Sequence, residues 1–199
     1  MTADILTIYG DSDSGNCHKV KFVADLVGMP SRWIEIAVVK GEARTAEFLA
    51  INPAGQVPVV ILPDGRTLSQ SNAIMLYLAE GSRLIPADSY QRALMHQWLF
   101  WEQYSHETAI AVRRYQKSLL NKRDDEIDPA LLTKGARALS VMNDHLASRR
   151  YFVAEALTLA DIALVAYTRF ADEGGFDLAL YPAVKAWVAR IEADLGVKR

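Results

Sequence analysis

The chain is short of cysteine, of net charge and of long hydrophobic runs, and each shortage removes a class of protein. One cysteine, Cys17, stands in 199 residues, which excludes an intramolecular disulfide framework and a Cys-rich zinc site, so no metal is expected. Lys and Arg number 22 against 24 Asp and Glu, a net charge of −2. That balance supplies no electrostatic reason to expect nucleic acid or an anionic membrane as partner. No apolar run approaches the roughly 18 residues of a membrane-spanning helix. The opening Met-Thr-Ala-Asp lacks the basic and apolar regions of a secretory signal, and a cytoplasmic location is expected. What the sequence does have is 51% hydrophobic residues beside 23% charged ones, enough to build the core of one large domain or two small ones.

Two patterns divide it. Up to about residue 80, strand-like runs alternate with short helical ones. Residues 5–9, 32–36, 57–62 and 66–68 read as strands, and Pro63-Asp64-Gly65 is the turn between the last two. Residues 16–27, 43–49 and 71–80 read as helices, the first with Val20, Val23 and Val27 on one face. The order β-α-β-α-β-β-α predicts a right-handed crossover that sets the first two strands side by side, with the terminal hairpin extending the sheet. Residues 81–88, with Pro86, read as a linker. From residue 89 onward the spacing predicts helices alone. Leu94, Trp98, Trp101, Ser105, Thr108, Val112, Tyr115 and Leu119 mark one long helix, and three more follow around Leu139, Ile162 and Val188. Trp98 and Trp101 are expected in the core.

Three places in the first part have the chemistry of a binding site. The turn Tyr9-Gly10-Asp11-Ser12-Asp13-Ser14-Gly15-Asn16-Cys17 feeds a strand into a helix. Unpaired backbone N–H groups and aligned peptide dipoles there favour a negative charge, and the Ser14 hydroxyl could bond it; equally, Ser14 or Asn16 could be a helix cap. In Asn52-Pro53-Ala54-Gly55-Gln56-Val57-Pro58, a trans Val57–Pro58 bond is the statistical expectation. A cis bond would turn the Val57 backbone outward, to pair with an extended peptide. Ser69-Gln70-Ser71-Asn72 opens another helix, with Ser69 or Ser71 as cap or Ser71 as a carboxylate contact. Thr158-x-x-Asp161 is a capping-box variant, structural rather than catalytic.

Together these segments resemble one family. Ser14-Gly-Asn-Cys-His-Lys-Val20, Asn52-Pro-Ala-Gly-Gln-Val-Pro58, Gln70-Ser-Asn-Ala-Ile74 and Leu157-Thr-Leu-Ala-Asp161 are similar, in order, to the motifs of cytosolic glutathione transferases of the bacterial, theta-like serine type. The resemblance implies a thioredoxin-like α/β domain over residues 1–80, a linker at 81–88 and an all-helical bundle domain over 89–199. It implies glutathione as co-substrate, a small hydrophobic electrophile, and a homodimer. By the same resemblance Ser14 is the catalytic serine, and Val57 pairs with the cysteinyl backbone of glutathione ahead of a cis Pro58. Gln70 and Ser71 hold the γ-glutamyl end, and Lys40 and Gln56 lie near the glycine end. Two positions depart from the pattern: Ala43 and Arg44 follow the Lys40-Gly41 pair where a histidine is common, and Gln70 replaces a glutamate.

The expected chemistry is stabilisation of the glutathione thiolate by the Ser14 hydroxyl, making it the attacking group for a conjugation. Cys17 is the alternative catalytic residue, through a one-thiol cycle, or else a packed helix cysteine. A glutathione-dependent disulfide reductase or peroxidase, or a non-catalytic binding module, would use the same residues. Tyr104, Ser105, His106, Thr108, Arg113 and Tyr115 on the long helix are the candidates for the electrophile pocket.

Overall fold

The computed structural model describes residues 5–198, and the chain forms two compact units, Met1–Ser82 and Arg83–Arg199. The division falls inside the stretch read as a linker. Leu84 from that stretch is buried, and its carbonyl accepts the Leu159 N–H at 3.2 Å.

The first unit is β1 (Leu6–Gly10), α1 (Gly15–Leu26), β2 (Ser31–Glu35), α2 (Ala46–Ile51), β3 (Val59–Ile61), β4 (Thr67–Ser69) and α3 (Ser71–Leu78). The sheet order is β2-β1-β3-β4. β1 and β2 run parallel, as a helical crossover requires, while β3 is antiparallel to both β1 and β4. Alternation along β1 puts Leu6 and Ile8, both buried, on one face, and Tyr9 on the other. Tyr9 joins Val59, Ala43 and Phe48 in a small core. Buried Val20 and Val23 of α1 and Ile74 and Met75 of α3 complete the interior. This is the thioredoxin-like α/β arrangement. Val57 and Pro58 lie just before β3, outside the ladder, since pairing begins at Val59.

The second unit is helical: α4 (Ser89–Trp101), α5 (Glu107–Arg114), α6 (Pro129–Leu146), α7 (Leu159–Thr168) and α8 (Pro182–Leu195). Every residue of α7 is buried, so it is the central element, covered on all sides. Asp161 in its first turn accepts four hydrogen bonds. These come from the N–H groups of Phe152 and Thr158 (each 3.0 Å), the Thr158 hydroxyl (3.1 Å) and Trp187 Nε1 (3.0 Å). The capping box is present, and it also anchors two aromatic residues. On α6, Gly135 faces Phe176 so closely that a Cβ there would stand 2.3 Å from the ring.

The long helix is continuous but not regular. Between α4 and α5 lies a π-helical stretch, Glu102–His106, and after α5 a second, Tyr115–Leu119. The wider π turns change which residues face inward. Met95, Trp98, Leu99, Glu102, His106, Ala109, Ile110 and Arg113 are buried, whereas Tyr104 and Val112 are exposed and Tyr115 lies at the edge of exposure. The stripe legible in the sequence therefore starts on the inner side at buried Trp98 and drifts outward to exposed Thr108, Val112 and Tyr115. Polar residues hold the inner side because they have partners: Arg113 Nε donates to the Gly174 carbonyl at 2.8 Å, and His106 Nε2 lies 2.8 Å from Thr168 Oγ1.

Candidate functional site

The turn between β1 and α1 is folded by carboxylates. Asp11 Oδ1 accepts the Asp13 N–H at 2.8 Å, and Oδ2 accepts the Val38 N–H at 2.9 Å. Glu35 Oε1 accepts both the N–H and the hydroxyl of Ser12, at 2.9 and 3.0 Å, and Oε2 accepts Trp33 Nε1 at 2.6 Å. Partial burial works against the Glu35 charge, but the bonds from Ser12 and Trp33 prevail and hold it below the usual carboxylate range. Ser14 stands at the N-cap of α1 with φ −89° and ψ 116°, and its side chain makes no capping bond. The hydroxyl instead lies near the Cys17 thiol and favours its ionised form. Capping does not account for Ser14. A hydroxyl free of the capping role sits at the positive end of a twelve-residue helix.

Cys17 itself is fully buried. Its sulfur accepts the Asp11 N–H at 3.4 Å. Burial pushes the thiol up to about 12; the Ser14 and Asp11 bonds pull it down, and the charges of Asp11 and Glu35 add to the rise. A thiolate nucleophile needs exposure, and Cys17 has none.

The start of α3 meets the start of α1. Ser71, buried, donates its hydroxyl to Asn16 Oδ1 at 3.0 Å. Neither Ser69 nor Ser71 caps α3: Gln70 occupies that position, without a side-chain capping bond. Gln70 has φ 70° and ψ 110°, a conformation that costs a residue with a Cβ of order 1–3 kcal/mol and that concentrates at ligand sites. Its side chain is exposed.

The Val57–Pro58 bond is cis. Asn52, which the sequence reading left without a role, organises the loop ahead of it. Its Nδ2 donates to the Gln56 carbonyl at 2.7 Å and its Oδ1 accepts the Ala54 N–H at 3.2 Å. Gly55 has φ +60°, and a Cβ there would lie 2.3 Å from Arg44 Nη1 and 2.9 Å from the Ala43 carbonyl oxygen. Arg44 donates to the Ala54 carbonyl at 3.2 Å, so the residue that departs from the expected pattern braces this loop. Val57 is half-buried, and its backbone N–H and C=O have no hydrogen-bond partner among the described residues. Lys40 and Gln56 are exposed, Lys40 closing the 3-10 turn Val38–Lys40.

On the long helix the candidates separate. Tyr104, Ser105 and Thr108, with Trp101, line one wall of a groove of about 450 Å³ whose other wall is Lys134, Arg137, Ala138 and Val141 of α6. Trp101 is thus a half-buried groove residue rather than a core one. His106 and Arg113 face the interior instead, and Tyr115 is absent from the lining. The inward turn of His106 follows from its bond to Thr168. Among the described residues no helix is long and apolar enough to cross a membrane.

A thioredoxin-like unit with a cis-proline loop, followed by an all-helical unit, defines a class of two-domain proteins. Family models define it more closely. Residues 13–80 match the glutathione S-transferase N-terminal domain, and residues 97–194 match the C-terminal domain. The structure of a glutathione S-transferase from Xanthobacter autotrophicus Py2 is 47% identical with a TM-score of 0.88, over 94% of this chain and 93% of that one. One from Pseudomonas fluorescens Pf-5 is 43% identical with a TM-score of 0.90, over 94% of both chains. Disulfide-bond oxidoreductase YfcG of Escherichia coli strain K12 is 28% identical, over 89% of this chain and 86% of that protein. The chain belongs to the glutathione S-transferase family.

Proposed function

We propose that this protein binds glutathione in its first unit and presents the thiolate for attack on a small hydrophobic electrophile. The carrying observation is the joining of two helix beginnings, through Ser71 and Asn16, in a unit that also leaves the Val57 backbone pair open beside a cis proline. The Val57 N–H and C=O suit the cysteinyl backbone, as in strand addition. Ser71 and Gln70, at the positive end of α3, suit the γ-glutamyl end, and Lys40 and Gln56 the glycine carboxylate.

Ser14 acts as donor to the sulfur. A thiol of ordinary pKa about 8.5 is only a few per cent ionised at neutral pH, and lowering it by two units takes about 2.7 kcal/mol. A hydroxyl bond to an anion contributes roughly 1.5–3 kcal/mol and the helix terminus about 0.3–1 more. These are sufficient without Cys17. Two copies pair into a homodimer in this reading. Phe100 and Tyr104, 75% and 86% exposed, are large apolar surfaces of the kind that interfaces cover.

Calorimetry with glutathione and turnover of a chlorinated nitroaromatic test the proposal. Micromolar to millimolar uptake and a conjugate are expected, and no uptake overturns it. The disulfide-bond oxidoreductase named among the relatives supports a second reading, reduction of a small disulfide through the same Ser14 site. Turnover of a disulfide without conjugation would select it.

A further inference from the structure

Every hydrogen-bonding group of Asp11 is engaged, three within the Ser14 turn and one outside it. Its carbonyl accepts the Ser14 N–H at 3.0 Å, and its N–H donates to Cys17 Sγ. One carboxylate oxygen holds Asp13, and the other crosses to Val38, the first residue of the turn that ends in Lys40. The side chain is buried. Two segments that are 27 positions apart thus share one carboxylate.

We infer that Asp11 is a positioning residue that sets the sulfur-holding Ser14 turn against the Val38–Lys40 turn, so that the sulfur and the glycine end of glutathione are received at a fixed spacing. This rests on the reading of the site given above. Asp11 does not touch the reacting atoms in it. Its two oxygens match two backbone donors, and no other side-chain type of this size offers two acceptors and no donor. Asn keeps one acceptor and turns an NH₂ toward the remaining N–H. Glu keeps both acceptors and the charge but is longer by a methylene.

The carboxylate also carries a negative charge close to where a thiolate is to be held. The Cys17 sulfur in the same turn already registers it, together with Glu35. Asp13, Cys17, His18 and Glu35 on the turn and its neighbours, Lys40 at the end of the Val38 turn, and Glu42, whose carboxylate accepts the Ala37 N–H, are the other ionisable groups of this neighbourhood. Positioning and charge therefore pull in opposite directions, which distinguishes Asp11 from a residue that only supports the fold.

The test compares wild type, Asp11→Asn and Asp11→Glu by glutathione KM, kcat and the apparent pKa of the bound thiol. Asp11→Asn is expected to raise KM about tenfold while lowering that pKa, because the like charge is gone. Asp11→Glu is expected to raise KM and leave the pKa in place. Wild-type KM and pKa in Asp11→Asn overturn the inference. A rise in KM with unchanged pKa in both variants also overturns it, reducing Asp11 to a structural residue.

Should the variants not fold, amide exchange in the wild-type protein decides. The Asp13 and Val38 N–H groups are expected to be protected and to slow further together when glutathione is added; rapid exchange at Val38 rejects the link. If wild type itself takes up no glutathione, the functional reading fails first, and that outcome is separate from the behaviour of the variants.

Discussion

The two units use buried polar side chains for different ends. In the first, buried Asp11 and Asn52, helped by the exposed Glu35, bond mainly to backbone N–H and C=O groups of turns. In the second, Asp161, His106 and Arg113 tie helices and segments into the interior. The first pattern shapes the loops of the proposed glutathione site; the second holds a core together. Substitutions in the two units should accordingly fail in different measurements: affinity and turnover in one, stability in the other.

Asp161→Ala gives the largest effect expected. It removes the helix cap and strands two buried donors, Phe152 N–H and Trp187 Nε1, so thermal or urea unfolding should show a loss of roughly 3 kcal/mol. Glutathione affinity of the folded fraction should be unchanged. The pH dependence has a definite sign. Burial is the leading influence and, against four hydrogen bonds, raises Asp161 to about 6 from 3.8. The folded chain thus holds this proton more tightly than the unfolded chain. Its contribution to stability is full below about pH 4 and is lost as pH rises through about 6. The Asp161→Ala penalty should be larger at pH 5 than at pH 8, by about 1 kcal/mol. A penalty that grows with pH would contradict this.

Ser14→Ala should cost about 2 kcal/mol in kcat/KM, roughly thirtyfold, and raise the apparent pKa of the bound thiol, with little change in Tm. Unchanged turnover and pKa would remove Ser14 from the chemistry. Gly55→Ala places a Cβ against Arg44 and the Ala43 carbonyl at a positive φ. A stability loss of about 1 kcal/mol and a severalfold higher glutathione KM should accompany it, because the loop leading to Val57 shifts. A pure stability loss would place this loop with the core rather than the site. Cys17→Ser should do least: a buried thiol held at about 12 contributes nothing to disulfide reduction. Loss of that activity in the variant would restore Cys17 as a reacting group.

Much of the first unit was legible because its signals are local. Strand alternation, the Pro63-Asp64-Gly65 turn and the helix starts at Ser14 and Ser71 each lie within a few residues. The cis state of Val57–Pro58 was legible only through resemblance, because the dipeptide itself favours trans. The turn bonds of Asp11, Asn52 and Glu35 are harder to read from the sequence. An Asx residue before proline is a recognisable turn former, and it was the one available signal for Asn52. The partner of Asp11 is 27 residues away, beyond any local pattern. In the helical unit, the long helix was found but its rotation was not. Periodicity follows apolar residues, and this helix buries Glu102, His106 and Arg113 while exposing Phe100 and Tyr104. His106 was consequently assigned to a pocket, whereas it bonds Thr168.

The sequence by itself determined the order of elements, the α/β-then-helical division and the residue types available at each turn, because hydrophobic period and turn chemistry act over short spans of chain. Only the tertiary structure decided which hydroxyl is a cap and which faces a sulfur, which backbone pair stays open at Val57, and which side of the long helix is inside. Those outcomes depend on partners distant along the chain, and a buried polar group goes where its hydrogen bonds can be completed.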